Sequence, residues 1–331
     1  MFISKRLVYI FSFSFLIAWI YLIFFFQDPS SQCNSRATFT GLIEGKAYRP
    51  YVFRRFLPDI SKNLDLLTPN FIAKHLKKNL SNFIGEKLIG KSGRDWILAY
   101  FYANIISLIS LILSAIYIKK LGYFLKIPEE FVSLIFLFSL VIFLNFRYIY
   151  DFVTLFLFII CIFNIIKNKN FFYLFFFTLS TYNKETSLFL ILFYAFLNPF
   201  KTKSSKIMIL LQFLIYFSIR FSIYINYRNN PGFTISPHFD LAIGNILSPF
   251  KIESFFSYIL IFILIFAKFK EKPVWVKKGL ILFPIYLILY FLFGVPSEIR
   301  VFLDIYPIIF LSCLHSIEEL LNYLFFSKKE S

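Results

Sequence analysis

From Trp96 to near the end of the chain, apolar runs follow one another with only short polar junctions between them. Such runs approach the roughly 20 residues needed to cross the hydrocarbon core of a bilayer. With a further run at 7–26, they predict about ten spans: 7–26, 96–118, 129–146, 149–166, 171–183, 186–199, 207–226, 254–268, 279–295 and 299–317. Composition points the same way, because 59% of the residues are hydrophobic, above the roughly 45–50% apolar share of soluble domains. The expected fold is all-α, a polytopic transmembrane helical bundle in which residues 1–331 form a single integral membrane domain. Very short junctions such as 147–148 and 184–185 imply tight re-entrant turns.

The 7–26 run follows Lys5 and Arg6, as a signal peptide would, but it exceeds a typical signal core and no small-x-small cleavage site follows it. It reads as a retained first span with a cytoplasmic N-terminus. Alternating sides from there places seventeen basic residues on inner segments and five on short outer turns. Cytoplasmic loops carry such an excess of Lys and Arg. The expectation is therefore a multi-pass protein of the plasma (inner) membrane with both termini cytoplasmic. A net charge of +17 would also suit a nucleic-acid binder, but most basic residues fall in loops between spans, so no nucleic-acid partner is expected.

Residues 27–95 form a long extracytoplasmic loop with two amphipathic stretches, 52–67 and 69–88. In the second, Pro69 suits a first helical turn, and Phe71, Ile72, Leu76, Leu80, Phe83 and Ile84 recur near a helical period, with Lys74, Lys77 and Lys78 interspersed. Such helices lie along the headgroup plane or pack on the spans. Ahead of them sits the segment 48–59, YRPYVFRRFLPD, which concentrates Arg49, Arg54 and Arg55 among aromatic residues.

The same topology brings costly charges to the outer ends of spans. Arg147 and Asp151 are four residues apart, as are Arg300 and Asp304, so each pair shares a helical face and could close on itself. Lys184 and Glu185 are adjacent, point in different directions and need separate partners. Arg220 lies within a span. Ionisable groups at membrane depth cost about 2.5–3.5 kcal/mol each on insertion scales, so they face a partner or a cavity. Arg49, Arg54, Arg55, Arg147, Lys184 and Arg300 would suit a phosphate or pyrophosphate, since guanidinium forks match phosphate oxygens. Asp28, Glu44, Asp59, Asp151, Glu185 and Glu298 supply carboxylates that could act as a general base or hold a divalent cation. Tyr48, Tyr51, Tyr148, Tyr150 and Tyr182 could stack on sugar rings, or simply mark the interface.

Other chemistries lack support. Cys33, Cys161 and Cys313 show no zinc or redox spacing, and two of them lie in apolar runs. His75, His238 and His315 are scattered, and no P-loop, GxSxG or HExxH occurs. No metal ligand set and no firm cofactor is expected.

A first span, a long outer loop opening on a carboxylate, and many closely connected spans together resemble the multi-spanning C-type glycosyltransferases that use polyprenyl-phosphate-linked sugars. GKAYRPYVFRRFLPD, RYIYD, NKET and SEIRVFLDIYP are also similar to stretches of bacterial membrane proteins grouped near such enzymes. The resemblance implies a carboxylate of the first outer loop as base or metal-side ligand, which by position is Asp28, with Glu44 next. It further implies a lipid-linked sugar donor, membrane lipids and envelope-biosynthesis proteins as partners. The acidic pair and the large soluble C-terminal domain of that family are absent from this sequence. The leading expectation is glycosyl transfer from a polyprenyl-phosphate-linked donor to an envelope glycan or lipid acceptor on the outer face. Arg49, Arg54, Arg55, Arg147, Asp151, Lys184, Glu185, Glu298 and Arg300 would bind substrate. A transporter or flippase of lipid-linked saccharides, or a non-catalytic membrane scaffold, are the competing expectations.

Overall fold

A computed structural model of the chain describes residues 5–27, 36–89, 96–125, 127, 129–141, 148–198, 202–233, 252–293 and 299–326. The described structure is all-α. Its helices in order are α1 (Lys5–Gln27), α2 (Phe39–Glu44), α3 (Phe56–Leu67), α4 (Asn70–Ile89), α5 (Ile97–Tyr123), α6 (Glu129–Leu140), α7 (Asp151–Ile166) and α8 (Asn170–Asn183). They continue as α9 (Leu188–Leu197), α10 (Lys203–Tyr227), α11 (Ile252–Phe266), α12 (Val274–Gly279), α13 (Leu282–Phe293) and α14 (Tyr306–Phe326).

Among the described residues three helical runs, not about ten, are long and apolar enough to cross a membrane: Ile97–Tyr123, Lys203–Tyr227 and Val274–Leu292. The helices at Glu130–Leu140, Asp151–Ile166 and Glu185–Leu197 are apolar but shorter. The difference has a physical reason. Hydropathy adds up neighbouring apolar residues whether or not the backbone turns between them. The run expected at 186–199 is a 3₁₀ turn, Glu185–Ser187, followed by only ten helical residues. At 1.5 Å per residue, a ten-residue helix covers about 15 Å, half of a hydrocarbon core.

Helix α5 is the central post, about 40 Å long on the same rise, and packs along α7, α6 and α3. Its buried side repeats small residues, Ala99, Ala103 and Ser107, then Ser110 and Ser114, which let a neighbouring backbone approach closely. The Ser107 hydroxyl donates to the Ile149 carbonyl at the entrance to α7 (2.7 Å). Helix α10 instead leaves Ile207, Leu210, Leu211, Leu214, Phe217 and Phe221 exposed as one apolar stripe. On a helix long and apolar enough to cross a membrane, such a stripe suits contact with lipid.

The polar loop has a hydrophobic core of its own. Phe39, Leu42, Val52, Phe53 and Leu57 are buried together with Tyr100 and Ala103 of α5, Ile149, Tyr150 and Val153 at the start of α7, and Ile223 of α10. Thr38 caps α2 by accepting the Gly41 N–H (3.1 Å). Gly45 then turns the chain at φ 70°, where an added Cβ would lie 2.7 Å from the Tyr227 ring, so this close approach to α10 requires glycine. The exit of α10 closes over the loop: the Asn230 amide donates to the Gly45 and Ala47 carbonyls, and the Arg49 N–H donates to the Pro231 carbonyl (2.9 Å). The loop is thereby seated over the ends of α5, α7, α8 and α10.

Candidate functional site

The site begins with Arg54, which follows the 3₁₀ turn Tyr51–Phe53 and is buried. Its guanidinium donates to the Tyr150 hydroxyl and, through Nη2, to Glu185 Oε1 at 3.1 Å. It lies 4.7 Å from the centre of the Tyr150 ring and 5.7 Å from that of Tyr51. Tyr150 stacks on Tyr148 with centroids 5.4 Å apart, and the Tyr148 hydroxyl donates to that of Tyr51 (3.2 Å). Two tyrosines thus hold one guanidinium by cation–π attraction and a hydroxyl bond, and Tyr148 braces both of them.

Glu185 comes from the turn between α8 and α9 and joins two cations. Its Oε2 lies 3.6 Å from Arg220 Nη2, while Arg220 Nη1 donates to the Phe53 and Thr181 carbonyls. Tyr216, one turn before Arg220 on α10, donates to the Glu185 carbonyl (3.1 Å). One carboxylate is therefore shared between a guanidinium of the loop and a guanidinium of a membrane-length helix. Around it, Arg54 Nε, Glu185 Oε2, Asn183 Oδ1 and Thr186 Oγ1 are buried without a hydrogen-bond partner. Four such atoms about one turn are a departure from the usual rule that buried polar groups are satisfied. The Glu185 side chain is 36% exposed overall, while its Oε2 atom is buried.

The neighbouring Lys184 goes the other way. Its ammonium lies 3.1 Å from each carboxylate oxygen of Asp304, which is fully buried and also accepts from Tyr286 at 3.5 Å. Asp304 thus pairs with Lys184 across 120 residues, where the sequence suggested Arg300, four residues away. The Arg300 side chain lies outside the described residues, although its backbone is in the Ile299–Asp304 turn.

The remaining predicted residues fall in different places. Arg55 is buried and saturated: it pairs with Asp59, donates to the Leu42 carbonyl and lies over the Tyr227 ring, while Tyr182 donates to the same Asp59. That set of contacts makes it a staple between the loop and the helix ends. Arg49 donates to the Gly232 carbonyl and reinforces the closure by the α10 exit. Glu44 is exposed at the end of α2 and accepts from Lys46 (2.9 Å) and Trp96 (3.1 Å), outside the Arg54–Glu185–Arg220 network. The hydrogen bond from Lys46, then that from Trp96, hold its carboxyl below the usual value of 4.5. Asp151 is buried as the first residue of α7, where its Oδ2 accepts the Tyr148 N–H (2.8 Å), and it acts electrostatically on Arg54. Asp28, Arg147 and Glu298 lie outside the described residues. Among the described residues no three His, Cys, Asp or Glu side chains converge on a metal position.

No family matches this chain. Nor does any curated protein or solved structure, so its chemistry has to be read from its own residues. Two members of the network, Tyr150 and Arg220, were not among the predicted substrate-binding residues. A lone arginine within an otherwise apolar 25-residue helix was the signal for Arg220. Tyr150 stood among the tyrosines that could stack on sugar rings, but nothing in the sequence tied it to Arg54.

Proposed function

We propose that this protein is a multi-pass membrane glycosyltransferase. In this reading it moves a sugar from a polyprenyl-phosphate-linked donor to an envelope glycan or lipid acceptor at the outer face of the plasma membrane, with both termini cytoplasmic. The observation that carries the reading is the cluster at Glu185: one partly exposed carboxylate bridging Arg54 and Arg220, beside the buried Arg54 Nε, Asn183 Oδ1 and Thr186 Oγ1, which lack hydrogen-bond partners.

Donor phosphate enters by replacing the Glu185 carboxylate at the two guanidiniums, whose fixed forks suit phosphate oxygens better than a single charge would. Glu185, released from its partners, accepts the proton of the acceptor hydroxyl. The acceptor oxygen bonds to the anomeric carbon, the bond from that carbon to the phosphate oxygen breaks, and polyprenyl phosphate leaves with the electron pair. The anomeric configuration inverts. Arg54 and Arg220 stabilise the charge on the departing phosphate. Glu44, whose carboxylate is held by Lys46 and Trp96 outside this network, is less suited to the base role that position in the loop suggested.

The experiment is mass spectrometry of lipid-linked and surface glycans from cells carrying the wild-type gene, no gene, or E185Q. A glycan lacking one sugar, with its unmodified acceptor accumulating in both mutant strains, is the expected result. A finished lipid-linked product that accumulates without reaching the surface would make the protein a transporter. The scaffold reading draws on a separate observation, that Lys184 closes on Asp304 and Arg55 on Asp59. Unchanged lipid-linked and surface pools in both mutants would favour it.

A further inference from the structure

We propose that the elbow joining α11 to α12 is a docking site for the phosphate headgroup of an anionic membrane lipid. This inference is independent of the glycosyl-transfer reading and concerns a different part of the molecule. The elbow runs from the end of α11 at Phe266 to the start of α12 at Val274, where the membrane-length run Val274–Leu292 begins. A connection between an apolar helix and a membrane-length run lies at headgroup depth. The elbow and the α12 turn that follows it, 268–278, carry Lys268, Lys270, Lys272, Lys277 and Lys278 against one acid, Glu271.

The lysines are not equivalent. Lys272 is buried, and its ammonium donates to the Ser312 carbonyl (2.7 Å) and the Ser316 hydroxyl (2.5 Å) of α14. Ser316 in turn donates to the Leu264 and Ala267 carbonyls at the end of α11. Lys272 is therefore the pin that fixes the elbow against α14. Lys268, in the left-handed region at φ 51°, pairs with Glu271 (3.0 Å), and the Lys277 ammonium donates to the Lys270 carbonyl (3.1 Å). That bond folds the two ends of the elbow together, so Lys270 and Lys277 form one cationic patch on a pinned backbone, with Lys278 next along α12. Lys270 and Lys278 have no acidic partner among the described residues.

Apolar side chains flank the patch on the lipid side. Phe262, Ile263 and Phe266 of α11, then Phe269 and Val274 of the elbow itself, are exposed. Aromatic and aliphatic groups beside lysines suit the boundary between acyl chains and headgroups, and juxtamembrane lysine clusters are attracted to anionic lipids. Charge complementarity thus selects an anionic lipid over a zwitterionic one.

The test is native mass spectrometry of the full-length protein in detergent, with phosphatidylglycerol and phosphatidylcholine supplied at equal concentration. Wild-type protein is expected to retain phosphatidylglycerol preferentially. The K270Q/K277Q/K278Q variant should lose that binding by about tenfold or more. K203Q/K206Q, which removes charge from another polar junction, should keep it. Equal retention of the two lipids by wild type, or equal losses in the two variants, would overturn the proposal. A photoactivatable phosphatidylglycerol gives a reading on unmutated protein: cross-links should map to 262–278, and labelling spread evenly over the exposed helices would also overturn it.

Discussion

Lys184 and Glu185 are neighbours in the chain, yet they belong to two different kinds of charged site. Lys184 and Asp304 form a closed pair: both are buried, both carboxylate oxygens are engaged by the ammonium, and the surroundings are apolar. Glu185 is in an open arrangement, one carboxylate divided between two guanidiniums, with orphaned polar atoms beside it and a third of its side chain exposed. A closed pair fixes helix packing, because the removal of either partner strands a charge in a medium that solvates it poorly. An open one can exchange a partner for a ligand. The backbone turn at 184–185, with Lys184 extended at φ −154°, is what sends the two side chains apart.

The comparison breaks most readily at the closed pair. D304N or K184M should destabilise the protein by about 3–5 kcal/mol, since each leaves an uncompensated buried charge. The double variant K184M/D304L should recover most of that loss. Thermal unfolding of the purified protein in detergent measures all three, and a double variant as unstable as the singles would show that the pair is not closed.

Lys272 sharpens the comparison as a buried cation answered by a carbonyl and a hydroxyl instead of a carboxylate. It lies in a turn outside the membrane-length helices, and burial pushes its ammonium down from 10.5 to about 8. The unfolded chain then holds a proton that the folded chain releases between those values. Stability should therefore rise as pH goes from 8 to 10.5, by up to about 3 kcal/mol. Cys313, whose thiolate would favour the ammonium, faces the same group. Unfolding midpoints across that range should climb in wild type and lose this component in K272M; identical pH profiles would remove Lys272 as the cause.

At the open site, stability and function should separate. E185Q and R54K should each lower stability by no more than about 1.5–3 kcal/mol, the scale of a hydrogen bond to a charged group. Each should nevertheless abolish glycan complementation. Lysine fails at position 54 because it cannot reproduce the planar fork that spans Tyr150 and Glu185. Full complementation by R54K would argue that the network is packing alone. The smallest effect belongs to Glu44, whose exposed contacts should contribute about half a kcal/mol or less. Because its carboxyl is held below 4.5, that contribution is present above pH 4.5 and lost on acidification below it. E44Q should show no such component.

Much of the helical organisation was legible in advance. The amphipathic stretches at 52–67 and 69–88 correspond to α3 and α4, because local periodicity decides where a helix can bury a face. The span count was not legible in the same way. A hydropathy window cannot see the 3₁₀ turn at Glu185–Ser187, which leaves only ten helical residues in the apolar run that follows it. At the site, charge and position singled out Arg54 and Glu185, whereas their meeting across 131 residues left no local trace. Arg55 looked equivalent to Arg54, and only the opposite directions of two consecutive side chains make one a staple and the other part of an open network.

By itself, the sequence determined that this chain is built of apolar helices, that a polar segment precedes most of them, and that its stray charges had to find partners. Those properties are sums over neighbouring residues, and neighbours are what a sequence displays. The tertiary structure alone decided that Lys184 answers Asp304, that Arg54 and Arg220 divide Glu185, and that the polar segment has a core of its own. Coulomb attraction and packing act through space, and a partner 120 residues away becomes the nearest one only once the helices between have been stacked.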